Sequence, residues 1–237
     1  MITRTRRART AAVLLFACSC SVHGAVGGFA CEEGFDDVAT LSTRGWTLQN
    51  NSEPLGPSGW MQGDPNLFLA YDGASDSYIA AGADSASGAH PVVSNWLITP
   101  DIDFGPNGFN VRLFGFYTRA VPGQANRLVA RLCMEQEAVS DCRAPGSGAG
   151  DLGGFQTRML DINPDLLPTD YPDHWTAYSL TSVDGLPVVG RGRIAFHYYV
   201  FSQPDGSHGT TIGIDAVSMA GATVCPFTDV VFATGFD

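Results

Sequence analysis

Two segments in the second half of the chain alternate strictly between apolar and other side chains. From Leu128 to Glu135 and from Arg193 to Phe201, every second residue is apolar. A repeat of two residues is typical of a β-strand with one buried face, because a helix repeats about every 3.6 residues. Val111–Thr118 is apolar on both faces, which predicts a central strand. Asn95–Phe104 predicts a buried strand that ends in a corner, since Pro100 has no N–H to donate.

Short apolar runs separated by glycine, proline, asparagine and aspartate fill the rest of the chain. The sequence has 28 glycines, 14 prolines and no long segment of helical period. This pattern predicts an all-β fold, a sandwich of antiparallel strands. The other strands that we expect are Cys31–Phe35, Gly45–Gln49, Gly59–Gln62, Leu67–Tyr71, Ser77–Ala81, Trp175–Leu180 and Thr211–Met219. Ala144–Gly154 and Ile162–Asp173 are expected to be loops.

The first 24 residues have the features of a secretory signal peptide. Arginines precede the short apolar stretch Ala11–Ala17, and Val22-His23-Gly24 provides a cleavage site. We therefore predict a signal peptide at 1–24, a β-sandwich domain at 25–225 and a tail or edge strand at 226–237. This organisation implies a secreted, extracellular protein, or a periplasmic one. Leu15-Phe16-Ala17-Cys18 also resembles a loose lipobox, so a lipoprotein anchored through Cys18 is a further alternative.

The chain is strongly acidic once the leader is set aside. Its four leader arginines leave 13 − 4 = 9 basic residues against 24 acidic ones, a formal charge of 9 − 24 = −15, and it has no lysine. Such a charge argues against binding to nucleic acid or to anionic membranes. No later apolar run reaches the roughly 18–20 residues of a transmembrane helix. The carboxylates could attract hard cations, although solubility alone explains them equally well.

Four cysteines remain after the leader, and an even number in an exported chain implies disulfides with three possible pairings. Cys133 and Cys142 flank a short polar segment, so we predict that they pair and staple a hairpin. Cys31 and Cys225 would then tie the two ends of the domain together. A zinc site is not supported, because the chain has no C-x-x-C pair and no histidines at ligand spacing.

Several short motifs follow one another along nearly the whole chain. They are Phe35-Asp36, Gly45-Trp46, Trp60, Asn95–Pro100, Trp175–Leu180, Arg193–Tyr198 and Ile212–Val217. Their order resembles that of the choice-of-anchor J domain, a family related to cleaved-adhesin and MAM domains. The resemblance implies a jelly-roll β-sandwich on a secreted or surface protein, acting as an adhesive or accessory module. The C-terminal Val231–Asp237 resembles a short Gly-Phe-acidic tail, and a last edge strand is an equal interpretation.

The same resemblance implies a structural calcium site. Related sandwiches bind Ca²⁺ where an acidic residue of the first strand meets an aspartate of the last strand. Here those positions are Asp36 and Asp215, with Glu33 and Asp37 nearby. Calcium takes six to eight oxygen ligands, which suits this set. The alternative is that these carboxylates are solvated or paired with arginine.

A second acidic set, Asp161, Asn163 and Asp165, has the spacing of the start of an EF-hand loop. It has Leu166 where that loop needs glycine and Pro172 where it needs glutamate, so we interpret it as a turn.

Four aromatic residues are candidates for a ligand surface, because rings stack on the apolar faces of sugars. They are Trp60, Tyr71, Trp175 and Tyr178, whereas Trp46 and Trp96 are expected in the core.

Catalytic motifs are missing from the sequence. It has neither H-E-x-x-H nor G-x-S-x-G, and Ser207-His208 lies in a glycine-rich turn. His197 is expected on the surface or in sheet packing. We therefore predict a non-catalytic, calcium-stabilised module that binds an extracellular glycan or protein. The alternatives are a structural exported protein without ligand, or a small hydrolase whose carboxylates would come from Asp72, Asp76, Asp101 and Asp103.

Overall fold

A computed structural model describes residues 30–105, 111–135, 142–204, 206–221 and 225–227. The predicted signal peptide, Cys18 and the segment 228–237 lie outside the described residues. Twelve strands are described: β1 Ala30–Glu33, β2 Thr47–Asn50, β3 Met61–Gln62, β4 Ile79–Gly82, β5 Val92–Ile98, β6 Ile102–Gly105, β7 Leu113–Ala120, β8 Leu128–Met134, β9 Thr157–Ile162, β10 Thr176–Leu180, β11 Gly190–Phe201 and β12 Thr211–Ala220. Three 3₁₀ helices accompany them, at Val38–Arg44, Ala83–Ser85 and Ser182–Asp184.

The strands form two antiparallel sheets of six strands each, which confirms the predicted jelly-roll β-sandwich. The first sheet has the order β10-β7-β12-β4-β3, and β1 also pairs with β12. The second has the order β2-β5-β11-β8-β9, and β6 also pairs with β11. No helix among the described residues has both the length and the apolar character needed to cross a membrane.

The hydrophobic core lies between the two sheets, and the alternating strands supply much of it. Leu128 and Leu132 of β8 face it together with Phe196 of β11, as the alternation predicts. Phe196 contacts two rings of the first sheet, Phe114 at 5.9 Å and Phe116 at 4.9 Å between centroids. These edge-to-face and tilted contacts lock the sheets together.

Three local predictions differ from the structure. Leu67–Tyr71 is a loop, since Leu67 and Leu69 are exposed and find no strand partner. Conversely, β9 and β6 are strands where the sequence predicted no strand and a connection. Both lie beside long strands with a free hydrogen-bonding edge, so tertiary pairing overrides weak local preference.

Both predicted disulfides are present. Cys31–Cys225 closes a loop with a sequence separation of 194 residues, and Cys133–Cys142 closes one of 9. Cys225 directs the chain so that Phe227 enters the core, where it contacts Trp46 at 5.4 Å between ring centroids. The chain ends of the sandwich are therefore held by a covalent bond and by a buried ring.

A β-bulge interrupts β12 next to Asp215. The register with β7 shifts between Asp215 and Ser218, and Ala216 has a φ of 47°. A bulge re-aims side chains and bends the strand. On its other edge, β12 pairs with β4 up to Ile214 and with β1 from Val217 onward. Asp215 therefore lies in the gap between β4 and β1.

Candidate binding site

A cleft opens at one edge of the sandwich, where the β7–β8 connection meets the segment before β10. We call it the edge cleft. Its volume is about 520 Å³, within the size range of small-molecule sites. The lining comes from 120–126, from 168–174 and from Tyr178. The second segment is the proline- and aspartate-rich stretch that the sequence predicted only as a loop.

Tyr178 supplies the cleft with an aromatic ring. It lies on β10 and is half-buried, with its ring stacked on Phe116 of β7 at 5.7 Å between centroids and 21° between planes. Burial raises the pKa of the Tyr178 phenol, so the group is neutral at physiological pH. The ring is thus fixed by packing and keeps a hydroxyl that can donate and accept hydrogen bonds.

The inner wall of the cleft is rigid because its polar groups are bonded to each other. The Asn126 amide oxygen accepts from the Tyr198 hydroxyl at 2.8 Å and from the Thr210 N–H at 2.9 Å. The Tyr171 hydroxyl lies 2.6 Å from the Thr118 hydroxyl, and burial strongly raises the Tyr171 pKa. These groups have their partners and so shape the cleft rather than bind a ligand.

The rim of the cleft carries polar groups that are available to a ligand. Asp170 and Asp173 are exposed, and the hydrogen bond from His174 lowers the Asp173 pKa, so this carboxylate is ionised at neutral pH. The Gln124 side chain has no hydrogen-bond partner within the described part of the chain. Carboxylates and an amide around one fixed ring are the groups that bind hydroxyl-rich ligands.

Of the four predicted ligand aromatics, only Tyr178 lines this cleft. Trp60 is 8% exposed and belongs to the core, which leaves no ring face for a ligand. Tyr71 lies on the outer face of the first sheet, stacked on Tyr117 at 3.6 Å with their hydroxyls 2.8 Å apart. Trp175 packs edge-on against Phe68, and its indole N–H donates to the Leu69 carbonyl.

The outer face of the first sheet is therefore a second aromatic region, separate from Tyr178. Side chains alternate along β10, so Tyr178 points to the face of the sheet that packs on the core, while its neighbours in sequence point to the outer face. Tyr71 is 46% exposed and is the most accessible of the four aromatics. The structure brings Tyr71 and Trp175 to the same loop but leaves Tyr178 on the other side of the strand.

The predicted calcium residues fall into two groups. Asp215 and Asp36 both hold the loop before β4: Asp215 accepts the Tyr71 N–H at 2.8 Å, and Asp36 accepts the Ser77 hydroxyl at 2.7 Å. Asp215 also accepts its neighbour's N–H, from Ala216, at 2.6 Å. Burial raises the pKa of Asp215 to about 6, against the lowering effect of these N–H groups.

The other two predicted ligands have separate partners. Glu33 is buried and forms an ion pair with Arg44, and its second oxygen accepts the Phe35 N–H at 2.9 Å. Asp37 caps the first 3₁₀ helix by accepting the Ala39 N–H. Within the described ranges no three acidic, histidine or cysteine side chains are grouped as metal ligands would be. Backbone N–H groups of Tyr71, Asp72 and Ala216 donate to Asp215, and calcium at this position stays a prediction.

The EF-hand-like set is used within the fold. Asp161 accepts from Arg127 through two hydrogen bonds of 2.8 and 2.7 Å, and from Arg158 at 3.0 Å. The Asn163 side chain donates to the Asn126 and Leu167 carbonyls and accepts the Leu167 N–H. These contacts have the form of the predicted turn.

The carboxylates named for a hydrolase do not come together. Asp101 forms an ion pair with Arg191, and Asp103 accepts the Gly105 N–H, both at β6 of the second sheet. Asp72 accepts the N–H of the following glycine in the loop beside the first sheet. Asp76 lies in the same loop, so the set is divided into one pair beside each sheet.

No family model matches the chain, and a comparison with curated proteins finds no match. Solved structures show distant likenesses. The K2 cleaved adhesin domain of Lys-gingipain is 14% identical over 80% of this chain and 97% of that domain, with a TM-score of 0.47. The K3 cleaved adhesin domain of Lys-gingipain from Porphyromonas gingivalis w83 is also 14% identical, over 73% and 98%, with a TM-score of 0.38.

A further likeness is to the family 11 carbohydrate-binding module of the cellulosomal cellulase Lic26A-Cel5E of Clostridium thermocellum. It is 11% identical over 84% of this chain and 97% of that module, with a TM-score of 0.40. Cleaved-adhesin domains and carbohydrate-binding modules are thus both found among the similar structures, and likenesses of this size carry no ligand over to this chain.

Proposed function

We propose that this protein is a secreted, non-catalytic module that binds neutral oligosaccharides in the edge cleft. The observation that carries the proposal is the placement of a fixed, half-exposed Tyr178 ring in a cleft of about 520 Å³ with solvent-exposed carboxylates on its rim. A sugar offers an apolar face to a ring and hydroxyls to carboxylates and amides. The choice-of-anchor J resemblance of the sequence is compatible with such a module.

The charge of the rim sets the class of sugar. Asp170 and Asp173 line the cleft, and the chain as a whole has 24 acidic residues against 13 basic ones. Two carboxylates accept hydrogen bonds from hydroxyl groups but repel carboxylated or sulfated sugars. We therefore expect neutral hexose oligosaccharides to bind and uronic-acid oligosaccharides of equal length to bind much more weakly.

The test is a glycan array followed by titration calorimetry with the best neutral oligosaccharide. Tyr178→Ala should weaken binding at least about tenfold, since a lost stacking contact is worth of order 1.4 kcal/mol or more. Asp170→Asn should weaken it less and should relax the exclusion of acidic sugars. Melting curves of each variant show whether the fold is intact.

The matched control is Tyr71→Ala, which removes an exposed tyrosine from the other aromatic region. Binding that is lost in Tyr71→Ala and kept in Tyr178→Ala would move the site to the outer face of the first sheet and refute the edge cleft. Retention of binding in both variants would refute sugar stacking on either ring. Hydrolysis of any array glycan would overturn the non-catalytic assignment.

A further inference from the structure

The outer face of the second sheet is covered by the segment 142–156, which we call the strap. Phe155 of the strap lies against Trp96 of β5 at 5.7 Å between ring centroids, and both side chains are fully buried. Ile98, Ala195, Cys133 and Cys142 complete this cluster. The strap is tethered at its start by the Cys133–Cys142 disulfide and at its end by its continuation into β9.

Besides the apolar packing of Phe155 and Leu152, polar contacts anchor the strap. The Ala149 carbonyl accepts the Ser94 hydroxyl at 2.8 Å, and the Ala149 N–H donates to the Glu53 carboxylate at 3.0 Å. The Gly146 carbonyl accepts from the Asn51 amide at 2.7 Å.

One of these anchors is linked through Ser94 to a buried histidine, His197. Ser94 gives its single hydroxyl proton to Ala149, so it must act as acceptor toward the His197 Nε2 atom at 2.9 Å. The His197 Nε2 atom therefore carries a proton, as it does in the neutral and in the protonated imidazole alike, so further protonation would take place at Nδ1. His197 is 1% exposed, stacks on Trp96 at 3.8 Å between centroids, and its Nδ1 atom has no partner in the described part of the chain.

The charged groups around His197 oppose its protonation. Arg131 and Arg127 of the β8 segment lie close enough to lower the His197 pKa, after burial itself, which has the largest effect. Asp161 of β9 neutralises Arg127 through two hydrogen bonds, whereas within the described residues Arg131 donates one hydrogen bond, of 3.4 Å, to the Phe155 carbonyl. Arg158 of β9 adds a further positive charge near Asp161.

The remaining groups do not supply a counter-charge at Nδ1. The Tyr199 ring, on the same strand, lies 4.8 Å from the imidazole between ring centroids. Strand β5 contributes Ser94 and Trp96, which carry no charge, and the strap's Asp151 is exposed at its tip. Glu53 binds the strap at Ala149 and is the nearest acid to that anchor. A proton on Nδ1 would thus place a second cation beside Arg131 at a buried atom that has no hydrogen-bond acceptor in the described part of the chain.

We propose that the strap is an acid-released cover: protonation of His197 below about pH 6.5 opens segment 142–156 and exposes the Trp96–Phe155 face of the second sheet. Acid favours opening because the two states bind a proton at different pH. In the open state His197 takes up a proton at the ordinary histidine pKa, whereas in the closed state it does so only at lower pH. The opening equilibrium shifts by up to about tenfold for each pH unit below about 6.5.

Hydrogen exchange of the full chain, measured as protection factors at pH 7.5 and pH 5.0, tests the proposal. The N–H groups of Ala149, Asp151 and Phe155 report on the strap. Their protection should fall by up to about 30-fold between these pH values, the shift that 1.5 units below the ordinary pKa allows. The N–H groups of β5 and β11 should keep their protection, because the sandwich stays folded.

Two variants and one control separate His197 from other acid-sensitive groups. His197→Gln retains an N–H donor for Ser94 and cannot take up a proton, so the pH dependence of the strap should vanish. Glu53→Gln removes the nearby carboxylate and should leave the dependence in place. His90→Gln, at an exposed position outside the edge cleft, should leave the pH dependence of the strap unchanged. A pH dependence that persists in His197→Gln, or that vanishes in Glu53→Gln, would overturn the proposal.

A measurement on the unmodified protein covers the case in which His197→Gln does not fold. The imidazole signals of His197 are followed by NMR over the same pH range as the exchange experiment. Protonation of His197 and loss of strap protection should coincide. Strap opening while His197 stays neutral, or equal loss of protection across β5 and β11, would refute an acid-released cover.

Discussion

Phe227, the last residue that the structure describes, should contribute strongly to the stability of the domain. Its ring is fully buried and contacts Trp46 at 5.4 Å and Phe114 at 6.5 Å, while its carbonyl accepts from Arg44 at 3.0 Å. Truncating a buried aromatic side chain costs about 3–5 kcal/mol, because the transfer term and the cavity term add. We expect Phe227→Ala to lower the free energy of unfolding by that amount.

Urea unfolding with the disulfides intact measures this loss directly. For a domain of this size each kcal/mol corresponds to about 2–4 °C in Tm, so the melting temperature should fall by roughly 6–20 °C. Val183→Ala is the matched control, since that side chain is 93% exposed and should matter little. A loss below about 1 kcal/mol in Phe227→Ala would show that the ring does not form part of the core in solution.

The Cys31–Cys225 disulfide should be coupled to this ring. The chain-entropy model gives up to about 5 kcal/mol for a loop of this length and about 3 kcal/mol for the Cys133–Cys142 loop. Without Cys31–Cys225 the Phe227 segment loses its tether, so Phe227→Ala should cost less in a Cys31→Ala/Cys225→Ala background. A double-mutant cycle should give a coupling of about 0.5–3 kcal/mol. Strict additivity would mean that Phe227 docks independently of the bond.

Three further predictions concern charged groups. Glu33→Gln should lower the free energy of unfolding by about 1–3 kcal/mol, because it leaves Arg44 without its buried partner; unchanged urea unfolding would contradict this. Burial opposes ionisation of Asp161, but the hydrogen bonds from Arg127 and Arg158 lower its pKa. The stability that this ion pair contributes is therefore present above the ordinary aspartate pKa and is lost as the pH falls. Asp161→Asn should flatten the acid limb of the curve of unfolding free energy against pH, and an identical acid limb would refute the pairing. If calcium binds at Asp36 and Asp215, Ca²⁺ at a hundred times Kd should raise the Tm relative to chelator by the equivalent of about 2.7 kcal/mol. Asp215→Asn should remove this shift, whereas Asp165→Asn should leave it in place. Equal melting temperatures with calcium and with chelator would dismiss the site.

Local patterns in the sequence determined much of the architecture. The period-two alternation of β8 and β11 depends only on neighbouring residues, and it correctly assigned both strands and the faces that meet the core. The expectation of a single buried face was wrong, because the strap also covers the opposite face, where Ala195 and His197 are buried. The even cysteine count, with one close pair, led to both disulfides. The resemblance to related sandwiches named Asp36 and Asp215, which the structure does bring to one loop, though with N–H partners.

The functional features were decided by the tertiary structure, because they join residues that are distant in sequence. Gln124 and Asp170 share a cleft only because the β7–β8 connection and the segment before β10 meet at one edge of the sandwich. Residue type alone could not separate the buried Trp60 from the half-exposed Tyr178. In the sequence, His197 resembled an ordinary strand residue. In the proposal above, the strap that packs over this face of the sheet can close only while His197 is neutral. Side-chain periodicity gives the direction in which a residue points, whereas burial depends on what the rest of the chain places above it.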